Sequence, residues 1–454
     1  MMSNKPSLIF SVDSKPPFVT SVFLGFQHVL TLFGSTTLVP LIIGTSMKMD
    51  PIQLSSLIAS VYLGMGICTL LQTSILGSQL PIVQGSSFSF IPCFLAIIAM
   101  YANSSPNIIM QYIAGGLIVG GIFQAIVGYT GLIGYIKKVI TPVVIIPTIM
   151  AIGFSLAGTA INSASSNWIV SLAVVALIFF FSLFSKNKSL NVFSILLSVA
   201  IVYLACLFLS GIGIIPNTSS IFIDVNKILN AEWFRGFQDC IMPCGIPKFS
   251  AVVFITMLSG FFAGMIESIG DYHSISYISG LDVPNKETIS KGVGSEGLGM
   301  IVSGFVGSLA TTSYTENIGL VNLTGIASRY VVKIGAILLI LLSFIGKLSV
   351  IIASMPTAVI GGCYIILFAL IGSSGMSMLK EISTNQRNML IIGVSFLLAL
   401  GLPTWIEANK ELFVYNNAIL NTLGSIAFSL LKSSMAIAGL VSIVLDNIIP
   451  EVKE

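Results

Sequence analysis

Apolar runs about as long as a bilayer is thick recur from one end of this 454-residue chain to the other. A helix needs roughly 20 predominantly apolar residues to cross the hydrocarbon core. Inside lipid no water is available to pair a backbone N–H or C=O, so a chain of this kind is confined to helices that satisfy their own backbone. Composition points the same way. The chain is 55% hydrophobic and 8% charged, with a mean hydropathy of +1.01, whereas a soluble domain carries about 25% charged residues. No polar stretch is long enough to fold as a soluble domain, and a net charge of +3 is too small to argue for a nucleic-acid partner.

The pattern predicts an all-α polytopic membrane protein of fourteen segments, at roughly 19–44, 52–76, 82–100, 111–133, 139–162, 166–185, 190–214, 250–278, 287–309, 313–328, 329–353, 354–376, 387–402 and 433–449. Residues 215–249 read as a long external amphipathic loop. With the N-terminus inside, the inner loops hold Lys5, Lys15, Lys137, Lys138, Lys186, Lys188, Lys286, Lys291, Arg329, Lys333, Lys380, Arg387 and Lys453. The outer side holds Lys48, Lys227, Arg235, Lys248, Lys347, Lys410 and Lys432. An excess of Lys and Arg marks the cytoplasmic face, and Trp168, Trp233 and Trp405 then fall at the outer interface. Both termini are expected to be cytoplasmic. The N-terminal residues are polar through Pro17 and carry no cleavable signal pattern. Cys68, Cys93, Cys206 and Cys363 lie in apolar segments as small hydrophobes. Cys240 and Cys244 share a loop and are left either bonded or free. No cysteine spacing fits zinc.

Two segments are interrupted. Segment 3 contains Gly85-Ser86-Ser87-Phe88-Ser89-Phe90, and segment 10 contains the polar run from Thr315 to Gly325. The two breaks lie at the same offset, about 66 residues, from positions 19 and 250. Interrupted segments at matching places in two halves are the best sequence pointer to a transporter binding site. Seven segments per half is an odd number, so the halves would have opposite topology. Irregular backbone at membrane depth survives only where protein buries it or a cavity hydrates it.

Ionisable residues at membrane depth are functional-site candidates. Segment 1 carries Gln27-His28, segment 8 carries Glu267-Ser268-Ile269-Gly270-Asp271-Tyr272-His273, segment 9 carries Glu296, and segment 10 opens on Glu316-Asn317. Glu267 and Asp271 are four apart and share a helix face. Two carboxylates there do not readily both ionise, which suits a proton carrier. Asp271 is either that carrier or a hydrogen-bond partner for a broken backbone. Glu267, deeper in its segment, reads as functional. Glu316 and Asn317 could pair with the N–H and C=O edges of a planar heterocycle, or Asn317 could be a helix cap. The broken backbone at Gly85–Phe88 and Ile318–Gly319 is expected to add N–H donors, and Phe88 a ring to stack on. His28 reads first as a structural partner. Glu296, set among Gly292, Gly294, Gly297 and Gly299, is expected to pin the region of segments 8 and 10 where helices pack closely. The spacing Gly292-x-Gly294-x-x-Gly297 also fits a dinucleotide fingerprint, but it neither follows a strand nor opens a soluble βαβ unit and is rejected. The glycosylation sequons at Asn103 and Asn217 matter only in a glycosylating host.

At these residues the chain resembles the nucleobase–ascorbate transporter family, also called xanthine/uracil permeases. The family signature of segment 10 is Gln, Glu or Pro, then Asn-x-Gly, four free positions, Thr, and Arg, Lys or Gly. Glu316-Asn317-Ile318-Gly319 followed by Thr324-Gly325 matches every fixed place. Gln27-His28 with Phe33-Gly34-Ser35-Thr36-Thr37-Leu38-Val39-Pro40, Gly85-Ser86-Ser87-Phe88, Glu267-Ser268-Ile269-Gly270-Asp271 and Pro356 to Gly362 extend the likeness over nearly the whole chain.

The resemblance implies two inverted seven-segment repeats, with short strands interrupting segments 3 and 10. It implies a core domain (19–133 and 250–353) that moves against a gate domain (139–214 and 354–449), usually in a homodimer. It implies that Glu267, Glu316 and Phe88 bind the base alongside Ser87 and Gly319. Asn317, His28, Gln27, Asp271, Glu296 and Thr324 would support the site or the coupling proton. Glu296 stands where the family usually has Asp. No cofactor is implied beyond a coupling ion, usually H+ in microbial members. Glu at the position of Glu316 occurs in uracil and purine carriers, Leu323 to Tyr330 looks more like the xanthine/urate type, and Pro in place of Glu316 would mark ascorbate carriers. The expected function is import of a nucleobase with protons across the cell membrane. An anion exchanger or channel on the same fold is the alternative. An intramembrane enzyme would need a nucleophile–base or metal cluster that the sequence does not present.

Overall fold

The computed structural model describes residues 8–134, 141–184, 186, 190–191, 193–413, 424, 427–428 and 431–450. Lys5, Lys137, Lys138, Lys188 and Lys453 therefore lie outside the described residues. Seven described helices are long and apolar enough to cross a membrane, among them Pro51–Gln72, Pro106–Tyr129, Ala251–Ile278 and Gln386–Ala408. Four shorter apolar helices add to these.

Local sequence explains where the helices begin. Pro51, Pro106 and Pro142 each open a helix, a place where the missing N–H costs nothing. Asp50 and Gln53 form a reciprocal capping box ahead of segment 2. Ser250, Asn285, Ser328, Asn385 and Ser433 each accept a backbone N–H of the helix they precede.

Three stretches expected as single segments are divided. Segment 1 is two helices, Phe18–Ser35 and Leu38–Ser46, joined at Thr36-Thr37. Segment 5 is Pro142–Ser155 and Ala157–Ala164, and segment 11 is Arg329–Ser343 and Gly346–Ala353. The segment 11 break has a visible cause. Phe234 of the 215–249 loop bridges Ile345, Arg235 N–H donates to Phe344 O (2.9 Å) and Gly346 N–H to Trp233 O (3.0 Å).

The helices pack in two groups. Segments 1–4 and 8–11 surround one another, with segment 9 (Lys286–Phe305) lying along segment 4 and segment 2 along segment 11. Segments 5–7 and 12–14 form the other, built on segment 12 (Thr357–Ser377) against segment 5. Small residues permit the closest approaches, as expected where lipid supplies no hydrophobic drive between helices. A Cβ on Gly297 would stand 2.3 Å from Ala125 N, and one on Gly128 would stand 2.2 Å from Gly294 N.

The loop after segment 7 is tied to both groups. Ser220 Oγ donates to Ser166 O (2.9 Å) and Ile223 N–H to Ser210 Oγ (3.1 Å). Past the short helix Val225–Leu229, Lys248 N–H donates to Gln111 O (2.9 Å), Met242 N–H to Phe305 O (2.7 Å), and the Arg235 guanidinium to Ser56 Oγ (3.0 Å). Cys240 is buried and Cys244 half-buried, and both thiols are free. At the opposite end the chain before segment 1 runs beside the corner between segments 10 and 11. Phe10 bridges Ile326, Val12 is buried, and Arg329 pairs with Asp13.

Gly297→Val would drive a side chain into the segment 4 backbone. Overpacking of this kind costs about 1–3 kcal/mol or more, so its thermal unfolding in detergent should shift to clearly lower temperature. Gly158→Ala, with nothing within 4 Å of the new Cβ, should unfold like the parent.

Candidate functional site

The two interrupted segments meet. Strand β1 (Gln84–Ser86) pairs antiparallel with strand β2 (Thr311–Ser313), with Gln84 opposite Ser313, Gly85 opposite Thr312 and Ser86 opposite Thr311. Tyr314 N–H to Val83 O (3.1 Å) and Ser87 N–H to Ala310 O (2.9 Å) extend the ladder. Every residue of both strands is buried. Each strand runs straight into a helix start, Phe88–Phe90 then Ile91–Met100 on one side and Thr315–Thr324 on the other. Helix starts carry unpaired N–H groups and partial positive charge.

This corrects one expectation. The second break is at Thr311–Ser313, ahead of the signature run, and not at Ile318–Gly319. Residues Thr315 to Thr324 are helical, and the helix ends on Gly325 in the left-handed region (φ +66). The run is polar at Thr315, Glu316, Asn317, Asn322 and Thr324, yet its backbone is helical throughout. Thr324 Oγ1 donates back to Leu320 O (2.8 Å). Ser87 also departs from expectation, because its N–H is spent on Ala310. Its hydroxyl is buried with no hydrogen-bond partner among the described residues.

Segment 8 holds both breaks. Glu267 Oε2 accepts from Ser89 Oγ (2.9 Å), at the helix start of segment 3. One turn further on, Asp271 accepts from Ser313 Oγ (2.6 Å) and from Thr315 Oγ1 (2.9 Å), across the strand–helix junction of segment 10. The same helix is cut away to let the break approach. A Cβ on Gly260 would lie 2.8 Å from the Phe90 ring, and one on Gly264 would lie 3.0 Å from Thr312 Cγ2. Gly85 does the same for Tyr314, whose ring would be 2.7 Å from an added Cβ.

Asn317 joins segment 10 to segment 1. His28 Nδ1 bonds its side-chain oxygen, and its nitrogen donates to Thr31 Oγ1 (3.1 Å) and His28 O (3.4 Å). Both polar ends of the amide are thus engaged by protein. Glu296 is buried in segment 9. It accepts from Ser268 Oγ (2.8 Å), Tyr272 OH (2.7 Å) and, more weakly, Gln124 Nε2 (3.4 Å). It therefore pins segments 8 and 4, and among the described residues it reaches segment 10 through Ser268, which lies 3.0 Å from Ser313 Oγ.

Phe88 is half-buried beside Ser89, and Gln27 is half-buried next to His28. Gly319 is exposed, with nothing within 4 Å of a Cβ built there, and Gly270 is open in the same way. The Glu316 side chain lies outside what is described. Its backbone is the second residue of the segment 10 helix. Ser89, Ser268, Ser313, Thr315 and Tyr272 were not singled out from sequence. A hydroxyl in an apolar segment is ordinary there, because it can bond its own helix. Only the fold tells the two cases apart.

A permease family model, Xan_ur_permease, matches residues 19–408. The chain belongs to the xanthine/uracil permease family. It is 30% identical over 99% of its length to Solute carrier family 23 member 2 of Mus musculus, covering 76% of that protein. It is 30% identical, again over 99%, to Nucleobase-ascorbate transporter 11 of Arabidopsis thaliana, covering 71% of it. These relatives are carriers, and this permease is a multi-pass membrane transporter and not an enzyme. Its fold is similar to the transmembrane domain of a cyanobacterial bicarbonate transporter, BicA (TM-score 0.58, 14% identity, 96% of this chain and 99% of that one). It is also similar to the murine Slc26a9 anion transporter (TM-score 0.63, 12% identity, 92% and 68%).

The tie between segments 1 and 10 makes a direct prediction. Asn317→Ala and His28→Ala each strand a buried polar group, at about 1–3 kcal/mol. Each should lower thermal stability, and the double variant should lose less than the sum. Additive losses would show that the two side chains do not act on each other.

Proposed function

We propose that this permease imports a nucleobase, a xanthine/urate-type purine or uracil, together with protons, by alternating access. The observation that carries the reading is the convergence on one helix of two carboxylates a turn apart, Glu267 and Asp271, with the paired breaks of segments 3 and 10. A heterocycle with an edge of alternating N–H and C=O groups suits carboxylates and helix-start N–H groups presented together. In this reading Glu267 and Glu316 take the N–H edge, and Phe88 stacks on the ring. Ser87 and Gly319 line the site. Asn317, His28, Gln27 and Thr324 hold its walls, while Asp271 and Glu296 serve the proton. The fourteen segments would form two inverted repeats. The two packing groups would be the core and the gate, rocking about a site near mid-membrane. A homodimer in the cell membrane with both termini cytoplasmic completes the proposal.

The second reading is anion exchange, favoured by the fold shared with a bicarbonate and an anion transporter. Charge argues against it. No Lys or Arg occurs in residues 16–47, 49–136, 249–285 or 292–328, which include every residue assigned to the site.

Uptake of labelled xanthine and uracil in cells lacking their own base carriers, with and without a protonophore, separates the two. Protonophore-sensitive accumulation of one base is expected. Uptake of an anion in exchange for another, with no base uptake, would favour the alternative. Glu267→Gln should abolish accumulation, and normal concentrative uptake by that variant would remove Glu267 from the site. Glu316→Gln should change the preference between bases more than it changes the amount of folded protein.

A further inference from the structure

Four groups form an unbroken buried chain: Glu296 Oε2 to Ser268 Oγ at 2.8 Å, Ser268 Oγ to Ser313 Oγ at 3.0 Å, and Ser313 Oγ to Asp271 Oδ2 at 2.6 Å. All four residues are buried, at 4% exposure or less. Three contacts at hydrogen-bond distance need three protons, and the two serine hydroxyls supply two. If both carboxylates are ionised, Ser268 donates to Glu296 and Ser313 donates to Asp271. The two serine oxygens are then left facing each other with nothing between. One added proton on either carboxyl closes the chain. With the proton on Glu296, Glu296 donates to Ser268, Ser268 to Ser313, and Ser313 to Asp271. With the proton on Asp271, all three bonds run the other way.

We propose that Glu296 and Asp271 hold a single proton in common, relayed between them by the hydroxyls of Ser268 and Ser313. Transfer is balanced. Glu296 releases its proton to Ser268, Ser268 passes its own to Ser313, and Ser313 passes its own to Asp271. Both hydroxyls are restored and one positive charge has moved from segment 9 to the segment 10 junction. The surroundings suit a mobile proton. Tyr272 OH and Gln124 donate to Glu296, with Gln72 Nε2 donating to Tyr272 OH behind (2.8 Å). The Cys68 thiol stands near enough for Glu296 to act on it, and the Gln84 amide faces Glu296 without a hydrogen bond of good geometry. Thr315, at the far end on Asp271, is exposed, so the chain reaches from a sealed interior to an open face. As a coupling device the relay rests on the proton-driven reading above. As a protonation state it rests on the hydrogen bonds alone.

Infrared spectroscopy of the purified full-length protein at neutral pH tests it, by the band of a protonated carboxylic acid. A shared proton predicts that the band is lost in Glu296→Gln and also in Asp271→Asn, since either amide can supply the missing donor. Glu267→Gln should leave this band in place. In Ser313→Ala one hydroxyl proton meets the one contact that is left, so the band should be lost, and Ser313→Thr should restore it together with its dependence on both carboxyls. Thermal unfolding identifies any variant that fails to fold. A band removed by only one substitution in the otherwise native chain, or no such band at all, overturns the proposal. Uptake separates this from the wider reading. A shared band with uptake indifferent to a protonophore keeps the relay and discards proton-driven transport. Proton-driven uptake with a fixed or absent band does the reverse.

Discussion

Three residues of segment 3 and three of segment 10 leave the helix where the protein buries them completely, so no water replaces the lost backbone partners. Their mutual pairing is what permits the interruption. Neither strand could exist without the other, so segments far apart in sequence are bound to one register. The rest of the core follows from that obligation. Segment 8 must offer glycines where Phe90 and Thr312 press on it, and carboxylates where the junctions expose hydroxyls. Segment 1 must reach Asn317 through His28 and Thr31. Two helices can then begin in the middle of the protein, each with its partly positive end close to the break.

Glu267 and Asp271 show how little separates binding from scaffolding. They are a turn apart on one helix, yet Glu267 is half-buried on Ser89 while Asp271 is sealed against Ser313 and Thr315. Spacing alone put them on one face. Their neighbours decide that one borders open space and the other braces a junction.

The outlines of the architecture were legible because lipid leaves few choices. Helix-length apolar runs placed most elements within a few residues of where they fold, and Gly85 with its serines marked the first break. The second was misplaced for a physical reason. Thr311-Thr312-Ser313 is unremarkable as sequence, and β pairing across more than two hundred residues leaves no local trace. The richer run that follows, Glu316 to Gly325, drew attention although it is helical. The divisions of segments 1 and 11 were likewise invisible, since the break at Ile345 depends on a loop strand, Phe234, remote in the chain. Glu296 was recognised, but its partners Tyr272 and Gln124 could be found only by packing helices together.

The loop between segments 7 and 8 is anchored at Ile223 to one helix group and at Phe234 to the other. Between them the helix Val225–Leu229, held at its end by Lys347 Nζ on Leu229 O (3.1 Å), is the element that can lengthen. A helical residue advances about 1.5 Å and an extended one about 3.3 Å. Unwinding that single turn therefore releases on the order of 10 Å of travel. The covalent chain thus sets a leash between the two groups: they can part by about that distance before the anchors themselves must tear.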